Sequence, residues 1–163
     1  MPLVLPELQN SLVDIYNKGK KGNPAPKLVA TKTAQAYFNY VSAGINAGGQ
    51  AFTAMPGSSA LGQDLGDILS KESPAGNLTA MKMAKAFDTC LQTFLSVYQT
   101  TIVTAPGLPG LQTELTDVFG SPKPSTTLFC MAYAKALNNY TLSAIVSGVI
   151  PDTPGIPFTG PIS

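Results

Sequence analysis

The stretch Leu8-Gln-Asn-Ser-Leu12-Val-Asp14-Ile15-Tyr16 decides the fold, because the chain repeats its pattern twice more. Leu61, Leu65, Asp67, Ile68 and Leu69 keep its spacing, and so do Leu111, Leu115, Asp117, Val118 and Phe119. A second constellation follows each copy: Ala34-Gln-Ala-Tyr37, Ala84-Lys-Ala-Phe87 and Ala134-Lys-Ala-Leu137. A third marker is Pro56-Gly57, Pro106-Gly107 and Pro154-Gly155. Three markers recurring in one order at about 50-residue intervals are the signature of internal repetition. The fold class expected is therefore all-α: three tandem helical hairpins of about 50 residues with Pro/Gly-rich extended connectors and a C-terminal tail. As one repeat-built domain, the boundaries fall at 1–55, 56–105 and 106–148, with the extended tail at 149–163.

Within each unit the first helix carries apolar residues at i, i+4 and i+7, as in Leu8, Leu12 and Ile15, with Asp14 on the polar side. That is one stripe of an amphipathic helix. Such short helices need tertiary packing to persist. The second helix begins near a proline (Pro26, Pro74 or Pro124), which a first helical turn tolerates. Ser73 and Ser121 are expected N-caps, with Ser125 an alternative. The second helix then runs Ala30, Ala34, Tyr37, Val41, Ile45. Its copies are Ala80, Ala84, Phe87, Leu91, Leu95 and Cys130, Ala134, Leu137, Thr141, Ile145. A second apolar face (Met83, Ala86, Cys90, Phe94, Val97; Tyr133, Ala136, Tyr140, Ala144) predicts burial on two sides. The second helices are thus expected at the centre, with Gly44, Gly48, Gly49 and Gly148 as helix stops. The units can be arranged about a pseudo-threefold axis or in a linear solenoid.

The 163 residues are 44% hydrophobic, enough for a core, but only 12% charged, about half the usual share. Low charge with 14 prolines and 15 glycines points to a surface covered by partners. The net charge of +1 gives no case for nucleic acid. The one basic cluster, Lys18, Lys20 and Lys21, reads as a solvated loop or helix end. The start of the chain lacks a basic n-region and reads as no signal peptide. The apolar stretch from Leu128 to Ile150 holds Lys135, Asn138 and Asn139 at its centre, and a central lysine costs about 3 kcal/mol on insertion. It is expected as a buried helix and not as a membrane span. Cys90 and Cys130 are read as reduced, buried thiols.

Chemistry is hard to place. The chain has no histidine, which removes the His-dependent triads and the commonest metal ligand. Gly57 to Gly62 has phosphate-loop spacing, but Gln63 stands where the lysine belongs. Asp14, Asp67 and Asp117 are repeat-equivalent. They suit a solvated face, pairing with Lys85 and Lys135, or a cation on a threefold axis. No catalytic, cofactor-binding or metal-binding residue is assigned, and the expectation is no enzyme and no cofactor. In the tail, Ile156 and Phe158 are poor choices for a free segment. They are the candidate partner-binding residues, on this chain's own surface or another's.

The unit Leu12-Val-Asp-Ile-Tyr16, Gly22-Asn-Pro-Ala-Pro26, Ala34-Gln-Ala-Tyr-Phe-Asn-Tyr-Val-Ser-Ala-Gly44 resembles small helical virion structural proteins of tailed bacteriophages. The tail Thr153-Pro-Gly-Ile-Pro-Phe-Thr-Gly-Pro161 is similar in character to theirs. The resemblance implies a tail, baseplate, neck or capsid-surface component, assembled in the host cytoplasm and located in the virion. Its partners would be other virion proteins, with neither nucleic acid nor membrane. This chain departs from the resemblance in having three units. The competing expectation is a helical-repeat adaptor that binds proteins in a cell.

Overall fold

A computed structural model describes residues 3–17, 25–71, 76–96, 102–151 and 154–163. The expected N-cap Ser73, the helix-start Pro74, the apolar Val97 and the Lys18, Lys20, Lys21 cluster lie outside them. Six helices occur among the described residues: α1 Leu5–Tyr16, α2 Pro26–Ser42, α3 Ser58–Ser70, α4 Gly76–Leu91, α5 Leu108–Gly120 and α6 Thr126–Ser143. The protein is mostly helical but not all-α. The connectors form strands β1 Phe52–Ala54, β2 Leu95–Ser96, β3 Ile102–Thr104, β4 Ile145–Ile150 and β5 Ile156–Pro161.

The helices follow from the pattern. Leu8 and Leu12 of α1, Leu61 and Leu65 of α3, and Leu111, Leu115 and Val118 of α5 are buried. On the longer helices both apolar faces are buried, as Met83, Ala84, Ala86, Phe87, Cys90 and Leu91 of α4 illustrate. Pro26 opens α2 in its first turn. Ser125 caps α6 by accepting from the Leu128 N–H at 3.2 Å. Ser121, the other expected N-cap, instead ends α5. Pro124 precedes the cap and lies outside the helix.

Each helix packs on the next, and α6 packs back on α1, so the six close a ring. That closure replaces the linear array as an arrangement. The side chains of α2, α4 and α6 meet inside it. The Tyr37 and Phe87 rings lie 5.0 Å apart edge to face, and Phe87 and Tyr133 lie 6.2 Å apart. Edge-to-face contact suits the ring quadrupoles. Two hydrogen bonds also join the same helices. The Tyr40 hydroxyl donates to Asn138 Oδ1 at 2.6 Å, and the Tyr140 hydroxyl donates to Asp88 Oδ1 at 2.6 Å.

Helical spacing overruns the ends of the second helices. Ile45, Leu95 and Ile145 continue it, yet Ile45 lies beyond the helix in a bridge to Ala51, and Leu95 and Ile145 begin strands. Once the chain leaves the helix its backbone N–H and C=O groups need new partners. The three connectors emerge side by side and supply them to one another. β1 pairs with β2 antiparallel, and β3-β4-β5 form a three-stranded antiparallel sheet. β-branched residues at Ile102, Val103, Thr104, Ile145, Val146, Val149 and Ile150 suit that pleated surface. Gly48 and Gly49 are not helix stops but part of a hairpin turn. Asn46 Oδ1 accepts from the Gly48 and Gln50 N–H groups at 3.0 Å each, and Gly49 supplies φ +76°. Gly148 lies inside β4. Pro56-Gly57 and Pro106-Gly107 lead into α3 and α5, whereas Pro154-Gly155 lies between β4 and β5, so the third copy of that marker has a different structural place. No helix is long and apolar enough, among the described residues, to cross a membrane. The stretch Leu128–Ile150 divides between α6 and β4.

Candidate functional site: an uncharged sheet face

β4 starts at Ile145, so the extended C-terminal segment begins before residue 149 and is not a free tail. It folds back as β5 in the register Ile145↔Pro161, Ser147↔Thr159, Val149↔Pro157 and Ile150↔Ile156. Directly opposed residues share a face of the sheet. One face holds Val103, Val146 and Gly160, with Val103 and Val146 buried in the core. The other holds Thr104, Ile145, Ser147, Val149, Pro157, Thr159 and Pro161. On it Ile145 is 38% exposed and Val149 44% exposed. The Thr159 hydroxyl donates to Ser147 Oγ at 3.2 Å across the strands.

The face carries no charge, and neither do the segments that build it. The sequence has no Asp, Glu, Lys or Arg between Lys32 and Asp64, between Asp88 and Glu114, or between Lys135 and Asp152. None follows Asp152. Those intervals contain every described strand. Among the described residues, charge is instead carried on the helices and on Lys71 and Lys123, and Asp152 falls in the sequence between β4 and β5.

The two candidate residues of the tail are separated by this arrangement. Ile156 is 51% exposed at the start of β5. Phe158 is half-buried on this chain's own surface, over Gly48, where an added Cβ would sit 2.8 Å from its Cδ1. Ile162, which sequence reasoning passed over, is buried. The signal for this site was present in Ile145-Val-Ser-Gly-Val-Ile150, a short run rich in β-branched residues with no charge. The helical spacing ending at Ile145 masked it.

Other candidates divide differently. Asp14, Asp67 and Asp117 are all exposed, and among the described residues no three His, Cys, Asp or Glu side chains gather as a ligand set. Asp117 pairs with Lys123 at 2.8 Å and not with Lys135. The Lys123 ammonium, with the Ser121 hydroxyl, holds its carboxyl below the usual value. Asp67 and Lys85 flank a shallow groove between α3 and α4 without forming an ion pair. Burial pushes the Cys90 thiol up to about 12 and Cys130 up to about 11, so neither is poised as a nucleophile. A groove of about 470 Å³ between α2 and α3 is lined by hydroxyls, amides, Lys27 and Asp67. It presents no nucleophile–base pair. Comparison with known protein families, characterised proteins and solved structures gives no match.

Proposed function

We propose that this protein is a non-enzymatic structural or assembly component that docks on other proteins through the uncharged sheet face. The observation that carries the reading is that face: Ile145 and Val149 stand exposed on a surface with no charge in any described strand. Interface cores are depleted of charge, and solvated surfaces are not. The sequence resemblance to small virion proteins of tailed phages favours an assembly in a phage particle, with other virion proteins as partners.

The proposal includes triplication. Equivalent positions on α2, α4 and α6 are buried alike: Ala30, Ala80 and Cys130; Ala34, Ala84 and Ala134; Tyr37, Phe87 and Leu137. The connectors support it too, since Ala54 opposes Leu95 as Thr104 opposes Ile145. A monomer built this way has pseudo-threefold form and suits a position among repeated subunits. The cellular-adaptor reading has less support, because helices closed into a ring leave no concave solenoid groove for a peptide.

The test is recovery of the tagged protein from its native source, with electron microscopy of the eluate. Tailed particles or tail pieces bearing the tag are expected. Recovery of the protein alone, or with one cellular partner, sinks the virion reading. Ile145→Lys with Val149→Lys provides the local check: both sites are exposed, so folding should persist while particle association is lost.

A further inference from the structure

The ring of helices is closed at its strand-bearing end by a segment that no covalent link holds there. At the first junction β1 ends at Ala54, opposite Leu95, and the chain runs on into α3. At the second, β3 ends at Thr104, opposite Ile145, and runs on into α5. At the third the equivalent place is taken by Ser163. Its N–H donates to the Ile45 carbonyl at 3.0 Å, and the Ile45 N–H donates to the Ser163 carbonyl at 2.8 Å. The neighbouring helix α1 lies at the other end of the sequence, so backbone pairing and side-chain packing alone hold this junction.

We propose that this closing strand, Ile156–Ser163, is exchanged between copies, so that one copy's strand docks on β4 and Ile45 of another. Three observations converge on a second copy as the occupant. First, the strand is seated mainly by backbone pairing. Ile162 is its one fully buried side chain and Phe158 is half-buried on Gly48, while Ile156, Pro157, Thr159 and Pro161 stay exposed. Little core is therefore opened when it leaves, and every contact is remade in an identical copy. Second, neither side of the junction carries a charge between residues 44 and 54, 145 and 151, or 154 and 163. Lysines that would guard an edge against another chain are absent. Third, residues 151–155 join β4 to β5 and reach about 17 Å when extended, enough to carry the strand away from its own sheet. Exchange gives the proposed assembly role a means of linking copies. It depends on that reading for its purpose, while its test stands apart from the particle experiment.

The test uses two cysteine positions already opposed on the sheet, in the full chain. Ser147 and Thr159 hydroxyls lie 3.2 Å apart, so Ser147→Cys and Thr159→Cys place two thiols within bonding reach. The doubly substituted chain should form the 147–159 disulfide. Chains carrying one substitution each are then mixed at high concentration, oxidised and mapped by mass spectrometry. Exchange predicts a dimer linked between residue 147 of one chain and 159 of the other, its yield rising with concentration. A second pair, Ile45→Cys with Ser163→Cys, should give the same result at the ring junction. Mixtures in which neither pair links between chains, while the doubly substituted chains link internally, overturn the proposal. So does failure of the 147–159 disulfide to form within the doubly substituted chain or between chains, since the strand then does not dock as described.

Discussion

Thr141 and Tyr37 form a hydroxyl pair inside the ring, and their substitution gives a cycle with a definite sign. Both residues are fully buried. The Thr141 hydroxyl donates to the Leu137 carbonyl at 2.7 Å, so its one proton is spoken for. The Tyr37 hydroxyl, 2.9 Å away, must then be the donor to Thr141 Oγ1. Tyr37→Phe removes the donor and leaves Thr141 with its carbonyl partner, a loss of about 1 kcal/mol. Thr141→Val is worse, since it strands a fully buried phenol with no acceptor and costs about 1–3 kcal/mol. For a chain of this length each kcal/mol lowers Tm by about 2–4 °C. With a mid-range loss of about 2 kcal/mol, Thr141→Val should lower Tm by about 4–8 °C. The double variant removes donor and acceptor together and leaves an apolar contact, as Val41 and Leu91 already provide at the equivalent positions of α2 and α4. It should therefore be no less stable than Thr141→Val and close to Tyr37→Phe. Urea unfolding followed by circular dichroism, at unchanged slope, measures all four corners. A double variant whose loss equals the sum of the single losses would refute the assigned donor and the coupling.

Three further outcomes follow from the packing and the charges. Gly44→Ala should destabilise by about 1–3 kcal/mol through overpacking. Its Cβ would meet Leu3 Cδ2 at 2.9 Å, Ile162 Cγ2 at 3.0 Å and the Ser163 carbonyl at 3.1 Å. Faster hydrogen exchange at Ile45 and Ser163 would report it, and unchanged exchange there would contradict the crowding. Cys90 and Cys130, raised by burial, should resist a thiol reagent at pH 8 in the folded protein and both react in denaturant. Rapid native labelling of either would count against the packing. Asp117 has a lowered folded pKa, so its contribution is present above the unfolded value and lost as pH falls through the folded one. An NMR titration should find it ionised below the usual aspartate range, and Lys123→Gln should move the midpoint upward.

How much of this was legible from sequence depends on how local the signal was. The stripes on α1, α3 and α5 and the two-faced burial of α2, α4 and α6 were readable because helical periodicity is set by residues within two turns of one another. Most strands were not, because β1 pairs with β2 and β3 with β4 across about 40–45 residues, and nothing within Phe52-Thr-Ala54 or Leu95-Ser96 names its partner; only β5 closes a local hairpin on β4. Ile145 failed for a related reason. It fits helical spacing from Cys130 and also opens a β-branched run with Val146, Val149 and Ile150, and the competition is settled by the pairing available at Thr104. The candidate site was half legible. Ile156 and Phe158 were chosen for being apolar in an extended segment, yet Ile162, with the same credentials, is the residue that seats it. All three stand at alternate positions on one face, and they differ in how far the core extends beneath them: Ile162 lies against Gly44, whereas Ile156 opens β5 at the exposed end.

If the chain is triplicated as proposed, the polar contacts at the centre account for the order that its hairpins take. In the triplicate reading, position 40 of each unit faces position 38 of the next around the ring. Tyr40 of α2 donates to Asn138 of α6, and Tyr140 of α6 donates to Asp88 of α4. At the third junction the corresponding residues are Cys90 and Phe38, which hold neither hydroxyl nor amide. The three junctions are thus chemically distinct although the helices are alike. The reverse order would set Tyr140 opposite Phe38 and leave its phenol without an acceptor, a loss of about 1–3 kcal/mol at that contact, while Tyr40 would meet Asp88. Apolar packing alone, nearly the same at all three junctions, would not discriminate among the orders. The strand-bearing end lacks any such guard, since Ser163, just past β5, meets Ile45 through backbone groups that every copy presents alike. The helices therefore specify the order within a chain, and the closing strand is the element left free to join one chain to another.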